Sequence, residues 1–166
     1  YVNLFIPSQL NWKSRNASIR METGFPYSSG VTLSLGLRKS QTFSLLFRQP
    51  VWATLGMAVS VNGKQVNADV DSSGYVTIKR KWKNNDRIEV LLPMGLYMES
   101  MPDNPDRVAF LYGPVVLAAN LGDKMPDPVM GVPVLLTDNR RINEWLNPED
   151  INHLRFKSKG IGQPGE

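Results

Sequence analysis

Apolar and polar residues alternate along several segments of this chain, and this period of two constrains the fold more than any other feature. In residues 31–35, Val and Leu alternate with Thr and Ser, and residues 43–47, 76–82 and 88–92 show the same alternation. Successive side chains of a β-strand point to opposite faces of the sheet. Each segment therefore predicts a strand with one buried face.

Turn signals separate these strands at intervals of about ten residues. Asn62 and Gly63 lie between two β-type runs, where a two-residue type I′ turn requires positive φ at both central positions. Residues 71–74 and 84–86 mark further turns. Short strands joined in this way are typical of antiparallel sandwiches and barrels. The sequence therefore predicts an all-β fold, a two-layer antiparallel β-sandwich.

Helical signals are few, and the length suits one domain. Asp138 could cap a short helix through residues 142–146, which would end before Pro148. We therefore expect at most one short helix, near residues 139–147. A chain of 166 residues fits a single domain over residues 1–166. The main sandwich strands are expected in about 1–95, and further strands in about 105–166.

Composition argues against several classes of partner and chemistry. Lysine and arginine number 19 against 15 acidic residues, and this dispersed +4 charge does not predict a nucleic-acid partner. No run approaches the roughly 18 apolar residues of a spanning helix, so no membrane partner is predicted. The sequence contains no cysteine, which excludes disulfides, thiolate metal sites and cysteine nucleophiles from these 166 residues.

Candidate acids and the single histidine form no recognisable catalytic or metal motif. A sugar hydrolase uses two carboxyl groups about 5 Å or about 6.5–9.5 Å apart. Glu89 instead lies on the polar side of its strand, and Asp103 and Asp106 flank a proline-rich loop where such side chains bind their own backbone. His153 has no accompanying ligand spacing or nucleophile. The sequence therefore predicts no catalytic and no metal-binding residues in this chain.

The four tryptophans are the best candidates for recognition. Trp82 alternates in phase with apolar strand residues and is predicted in the core, whereas Trp52 is expected to pack at the sandwich end. Trp12 and Trp145 follow no strand period. Each of these two could pack against another domain, stack on a sugar or cover a local cluster, and they are the candidate carbohydrate-binding or interdomain residues.

Motifs spread over nearly the whole chain resemble one enzyme family. They occur in the order YVNLFIPS (1–8), ETGFPY (22–27), FRQPVWA (47–53), VNGK (61–64), GYVTI (74–78), LPM (92–94), PDRVA (105–109) and YGPVVLA (112–118). Their order and spacing resemble the region behind the catalytic barrel in glycoside hydrolase family 127 and relatives such as family 146. These are β-L-arabinofuranosidase-type enzymes, many of them from gut bacteria that degrade plant polysaccharide.

The resemblance implies that catalysis belongs to another part of the parent protein. In the family, an (α/α)₆ barrel precedes this region and holds a zinc-associated cysteine nucleophile with further cysteine and glutamate ligands. None of these residues can be carried over to a chain without cysteine. The resemblance thus implies a non-catalytic accessory sandwich whose partner is its own catalytic barrel, with zinc confined to that barrel. The alternative is a carbohydrate-binding module for plant polysaccharide.

The chain opens in strand-like sequence at Tyr1 without a signal peptide. We therefore expect it to be an internal piece of a longer protein. The resemblance implies that relatives continue past the position of Glu166, so that a last strand is truncated here. It also implies a periplasmic or secreted parent.

Overall fold

The structure is a computed structural model that describes residues 1–120 and 135–159. The chain divides into unit 1, Tyr1–Met94, and unit 2, Gly95–Glu166. The named strands of both units pair antiparallel, which confirms the all-β class. The single domain over residues 1–166 stays a prediction. No helix in the described ranges is both long enough and apolar enough to cross a membrane.

Unit 1 contains eight strands in two sheets. In chain order they are β1 (Ser8–Trp12), β2 (Ala17–Thr23), β3 (Gly30–Leu37), β4 (Gln41–Arg48), β5 (Ala58–Val61), β6 (Lys64–Val66), β7 (Tyr75–Trp82) and β8 (Arg87–Leu91). Six of them form one sheet in the order β1-β2-β3-β8-β5-β6, and β4 pairs with β7 in the second sheet. This is the layered arrangement that the alternating segments predict.

The inner faces of the two sheets bury one apolar core. Many of its members alternate along four strands: Val31, Leu33, Leu35 and Leu37 of β3, Phe43, Leu45 and Phe47 of β4, Val76, Ile78 and Trp82 of β7, and Ile88 and Val90 of β8. Trp82 is fully buried, and its Nε1 donates a hydrogen bond of 2.9 Å to the Phe43 carbonyl oxygen. The predicted core position of Trp82 is confirmed, and its one polar atom is satisfied.

The N-terminal segment before β1 runs along the second sheet. The backbone N of Val2 donates to the carbonyl oxygen of Leu46 at 2.7 Å, and the carbonyl oxygen of Val2 accepts from the backbone N of Arg48 at 3.0 Å. Val2 forms a parallel bridge with Phe47. These bonds fix the segment against the end of β4.

A buried carboxylate joins two turns at the opposite end of unit 1. Asp86 is buried, and its oxygens accept hydrogen bonds from Nδ2 of Asn62 at 2.9 Å and from the backbone N of Lys83 at 2.8 Å. Asn62 (φ 52°) and Gly63 (φ 75°) both have positive φ between β5 and β6. The predicted two-residue hairpin turn is therefore confirmed, and Asp86 ties it to the turn before β8.

The described part of unit 2 contains five short strands in two sheets. They are β9 (Leu96–Ser100), β10 (Val108–Tyr112), β11 (Val115–Val116), β12 (Leu146–Asp150) and β13 (Arg155–Ser158). The three strands β9 to β11 pair in the order β11-β10-β9, and β12 pairs with β13. Gly113 has a φ of 54° in the turn between β10 and β11. The strands β10 and β11 thus lie on either side of Gly113 and Pro114.

Helix is limited, among the described residues, to single 3₁₀ turns at Lys13–Arg15, Ile142–Glu144 and Ile151–His153. The second turn falls in the window predicted for a short helix. It ends early because β12 begins at Leu146 and pairs through Pro148 with β13. The first and third turns were not predicted, since three residues are too few to carry a helical period.

Replacement of Gly63 by valine tests the hairpin. A β-branched side chain is strained at a φ of 75°, so Gly63→Val should lower the free energy of unfolding by at least about 1 kcal/mol. Gly30→Val is the matched control. Gly30 lies in β3, and an added Cβ there meets nothing within 4 Å. Denaturant titration should show a loss for Gly63→Val alone, and equal midpoints for the two variants would contradict the turn geometry.

The buried carboxylate predicts a pH dependence of stability. Burial alone would raise the pKa of Asp86, but hydrogen bonds from Lys83 and Asn62, with the charges of Arg80 and Lys83, outweigh it and hold this pKa below its ordinary value. A carboxyl whose pKa is lower in the folded state stabilises the fold above its unfolded pKa. That contribution disappears as pH falls through the folded pKa.

The comparison of wild type with Asp86→Asn tests this dependence. The variant should be less stable near neutral pH by about 1–3 kcal/mol, because the charged acceptor of two hydrogen bonds is lost. The difference should begin to shrink as pH falls below the unfolded-state pKa of an aspartate, about 4, and should disappear as pH falls through the lower folded pKa of Asp86. Denaturant titrations between pH 7 and pH 2 measure it. A difference that does not change with pH would refute the linkage.

Candidate functional site

Trp12 closes β1 and lies half-buried beside the core of unit 1. Its ring makes a T-shaped contact with Phe43 at a centroid distance of 5.8 Å, and the guanidinium of Arg15 lies over the ring at 5.1 Å. Sugar stacking requires an open aromatic face. Because Arg15 occupies a face of the ring and Phe43 contacts it, Trp12 is not an open stacking platform in this structure.

Two shallow grooves lie beside Trp12. One, of about 320 Å³, is lined by Asn11, Trp12, Lys13, Asn16, Ala17, Ser18 and Gly36. The other, of about 530 Å³, is lined by Arg15, Asn16, Arg38, Lys39, Ser40 and Gln41. Cationic side chains line both grooves, and no carboxylate does. The charge at this end of unit 1 suits an anion better than a neutral sugar.

Trp145 lies in unit 2 and is only 5% exposed. Its Nε1 donates a hydrogen bond of 2.9 Å to the carbonyl oxygen of Asn139, and its ring packs edge-on against Phe110 at 5.6 Å. Buried in this way, the ring has no free face for a sugar. Of the three interpretations left open by the sequence, the structure favours a local cluster for Trp145.

Two glutamates face solvent on either side of β3. The strand register pairs Glu22 with Thr32 and Thr32 with Glu89, so the two glutamate backbones lie two strands apart, about 10 Å. Each carboxylate is held by an arginine of its own strand, Arg20 at 2.9 Å and Arg87 at 3.2 Å. A glycosidase acid is kept protonated by an apolar pocket. These exposed, ion-paired carboxylates lack that environment.

His153 does not contribute to a metal cluster. No group of three or more His, Cys, Asp or Glu side chains within residues 1–120 and 135–159 is arranged to hold a metal ion. Asp150 caps the 3₁₀ turn Ile151–His153 by accepting from two backbone N–H groups, and its Oδ2 lies 2.7 Å from Nδ1 of His153. The hydrogen bond from the His153 side chain lowers the pKa of Asp150. This arrangement accounts for His153 as a local structural partner.

Exposed apolar side chains gather at one end of unit 1, at a surface that the sequence patterns did not predict. Three segments meet at one end of unit 1: residues 1–7, the β2–β3 loop (24–29) and the β4–β5 loop (49–57). We call them the apolar end. Its exposed large side chains are Tyr1, Leu4, Ile6, Tyr27, Val51 and Leu55. The available signal was the presence of large apolar residues outside any strand period.

The apolar end is organised by its own aromatic contacts. Phe5 is buried and contacts Phe25 at 6.2 Å, and Phe25 stacks on Trp52 at 5.9 Å with an interplanar angle of 21°. Tyr1 contacts Tyr75 at 5.5 Å. The half-buried Trp52 thus packs at the sandwich end, as predicted. These contacts join the three segments into one surface.

Comparisons with known proteins place this geometry in a family context. The profile described as β-L-arabinofuranosidase, GH127 middle domain matches residues 1–94, which coincide with unit 1. None of the curated proteins matches the chain significantly.

Three solved structures are similar. A GH127 β-L-arabinofuranosidase from Geobacillus stearothermophilus T6 is 28% identical, with a TM-score of 0.61 over 68% of this chain and 19% of its own. A glycoside hydrolase is 29% identical, with a TM-score of 0.57 over 65% of this chain and 19% of its own. A GH127 β-arabinofuranosidase is 28% identical, with a TM-score of 0.57 over 66% and 20%. The chain therefore spans about a fifth of the length of these proteins.

Substitutions of Trp145 test the cluster in unit 2. Trp145→Ala should lower the stability of that unit by about 3–5 kcal/mol, because it removes a buried ring. Trp145→Phe keeps an aromatic ring for Phe110 but removes the N–H donor to Asn139, and should cost about 1–2 kcal/mol. Val116→Ala, at an exposed position, should change stability by less than about 0.5 kcal/mol. Hydrogen exchange of the β10 amides measures each loss, and equal exchange in all three variants would contradict the packing.

Proposed function

The chain belongs to the GH127 β-L-arabinofuranosidase middle-domain family, and from this premise we propose that it is a non-catalytic accessory domain of a glycoside hydrolase. The profile covers all of unit 1 and ends at its boundary. Two of the similar structures are named as arabinofuranosidases of family 127. The family 127 part of the resemblance is thereby confirmed, and the relation to family 146 stays a prediction.

The proposed role is mechanical support of a catalytic domain elsewhere in the same polypeptide. The matched part of this chain covers only about a fifth of the similar chains, which leaves room for such a domain. By the resemblance, it is an (α/α)₆ barrel that carries the zinc and the catalytic residues and cleaves β-L-arabinofuranosides. The sandwich would pack against that barrel and hold its position. The same resemblance makes a periplasmic or secreted parent part of the proposal.

The proposal that this chain is non-catalytic rests on the surroundings of its acidic side chains. Glu22 and Glu89 are exposed and ion-paired on the outer face of a sheet, and Asp106 pairs with Arg140. The one buried carboxylate of the described residues, Asp86, is engaged in hydrogen bonds between two turns. Such carboxylates stabilise the fold, and none of them has the apolar pocket that a general acid requires.

The carbohydrate-module alternative has less support from the structure. The face of Trp12 toward Arg15 is occupied, and Trp145 is buried. The outer face of the six-stranded sheet carries polar and charged side chains, such as Thr32 and Glu89, and none of its strands presents an aromatic ring there. Sugar-binding sheets stack their ligands on aromatic rings.

Activity measurements on two polypeptides test the proposal. The 166-residue chain should not hydrolyse an aryl β-L-arabinofuranoside, with or without added zinc, whereas the longer natural polypeptide should. In the longer polypeptide, the double substitution Glu22→Gln and Glu89→Gln should leave kcat/KM within about twofold, since neither carboxylate touches the reacting atoms. Turnover by the chain alone that disappears in Glu22→Gln would overturn the proposal. Retention of the chain on insoluble plant polysaccharide would favour the carbohydrate module instead.

A further inference from the structure

We propose that the apolar end of unit 1 is the surface that docks on the domain preceding this one in the longer polypeptide. The inference rests on the proposed function, and it specifies which of the faces of the sandwich makes the contact.

Exposed apolar side chains are confined largely to that end. Val51 is 91% exposed, Tyr27 70% and Leu55 65%. Among the exposed large apolar side chains of unit 1, only Leu10 lies away from this end. Val70 and Leu91 lie in a loop and at a strand end that adjoin the apolar end, and the others belong to the apolar end itself. An exposed group of this kind on one side of a soluble domain marks a contact surface.

The charge distribution points to the same end. No residue of the three segments 1–7, 24–29 and 49–57 is Lys, Arg, Asp or Glu, although 20% of the chain is charged. The opposite end of unit 1 carries Lys13 and Arg15 in one connection, and Lys39 and Lys83 in two others. The cores of protein interfaces are poor in charged residues and rich in aromatic residues and methionine. The three segments of the apolar end have that composition, whereas the adjoining β6–β7 loop carries Asp69 and Asp71 and the connections at the opposite end carry lysine and arginine.

The apolar end is held in a fixed shape by hydrogen bonds of its own. Oη of Tyr75 donates to Oδ1 of Asn3 at 2.8 Å, and Nε2 of Gln49 donates to the carbonyl oxygen of Ala53 at 3.1 Å. The backbone N of Leu92 donates to the carbonyl oxygen of Ser29 at 3.0 Å, which ties the β2–β3 loop to the end of β8. These hydrogen bonds fix the backbone that carries the exposed side chains. Docking therefore requires little additional ordering of the loops.

The preceding domain is the occupant that the observations favour. The matched profile is that of a middle domain, and the similar chains have about four-fifths of their length outside the matched region. Residues 1–7 belong to the apolar end itself, so a domain joined to Tyr1 is tethered where the apolar surface lies. Such a tether raises the effective concentration of the domain at that surface. A second copy of the chain or unit 2 would be the competing occupants.

Photocrosslinking in the longer polypeptide identifies the occupant. p-Benzoylphenylalanine is placed at Tyr27 or at Val51, and at Leu10 as the matched exposed apolar control on β1. Crosslinks from positions 27 and 51 into the preceding domain, with none from position 10, are the expected result. Crosslinks from positions 27 and 51 into residues 95–166 or into a second molecule, or no crosslinks from them, would overturn the inference.

Polar substitutions separate the inference from the proposed function. In the longer polypeptide, Val51→Asp with Leu55→Asp should lower the thermal midpoint of the preceding domain and uncouple its unfolding from that of unit 1. Leu10→Asp should change neither quantity. If the two domains still unfold together in the double variant, docking uses another face, and only the inference fails. If the unsubstituted polypeptide has no hydrolase activity, the proposed function fails, whatever the crosslinks show.

Discussion

Burial of the two sheets of unit 1 against each other is the constraint on which its other features depend. The sheet formed by β4 and β7 has only two strands, and a two-stranded ribbon is at best marginally stable alone in water. Its inward side chains, among them Phe47 and Trp82, are fully enclosed by the six-stranded sheet. Because the apolar strand residues are buried between the sheets, only the loops at the two ends and the polar outer face of the six-stranded sheet are available to bind a partner.

The two ends of the sandwich differ in the side chains that their loops carry. One end closes with turns that carry lysine and arginine, and its only buried carboxylate is used to hold two of these turns together. The other end closes with loops in which Phe25 and Trp52 stack beneath exposed aliphatic and aromatic side chains. The strands can be the same in proteins with different ends, so the fold alone does not determine the partner.

The sequence could predict what local periodicity encodes. The strands, the hairpin at Asn62 and Gly63 and the burial of Trp82 each follow from alternation or from the φ that a turn requires. The surroundings of Trp145 could not be predicted, because Phe110 lies 35 positions away and is brought to it by tertiary structure. The placement of Glu22 and Glu89 on either side of Thr32 depends on strand register in the same way. Residues in loops carry no period, which is why the apolar end was missed.

The bonds between Val2 and β4 have a consequence for where this domain can be trimmed. The strand β4 pairs with β7 along one side, and Val2 engages the end of the other side. A version of the domain that began at Ser8, where the first strand starts, would leave the backbone groups of Leu46 and Arg48 without these partners. Unpaired strand edges recruit other strands and promote aggregation. The residues ahead of β1 thus protect an exposed edge of β4.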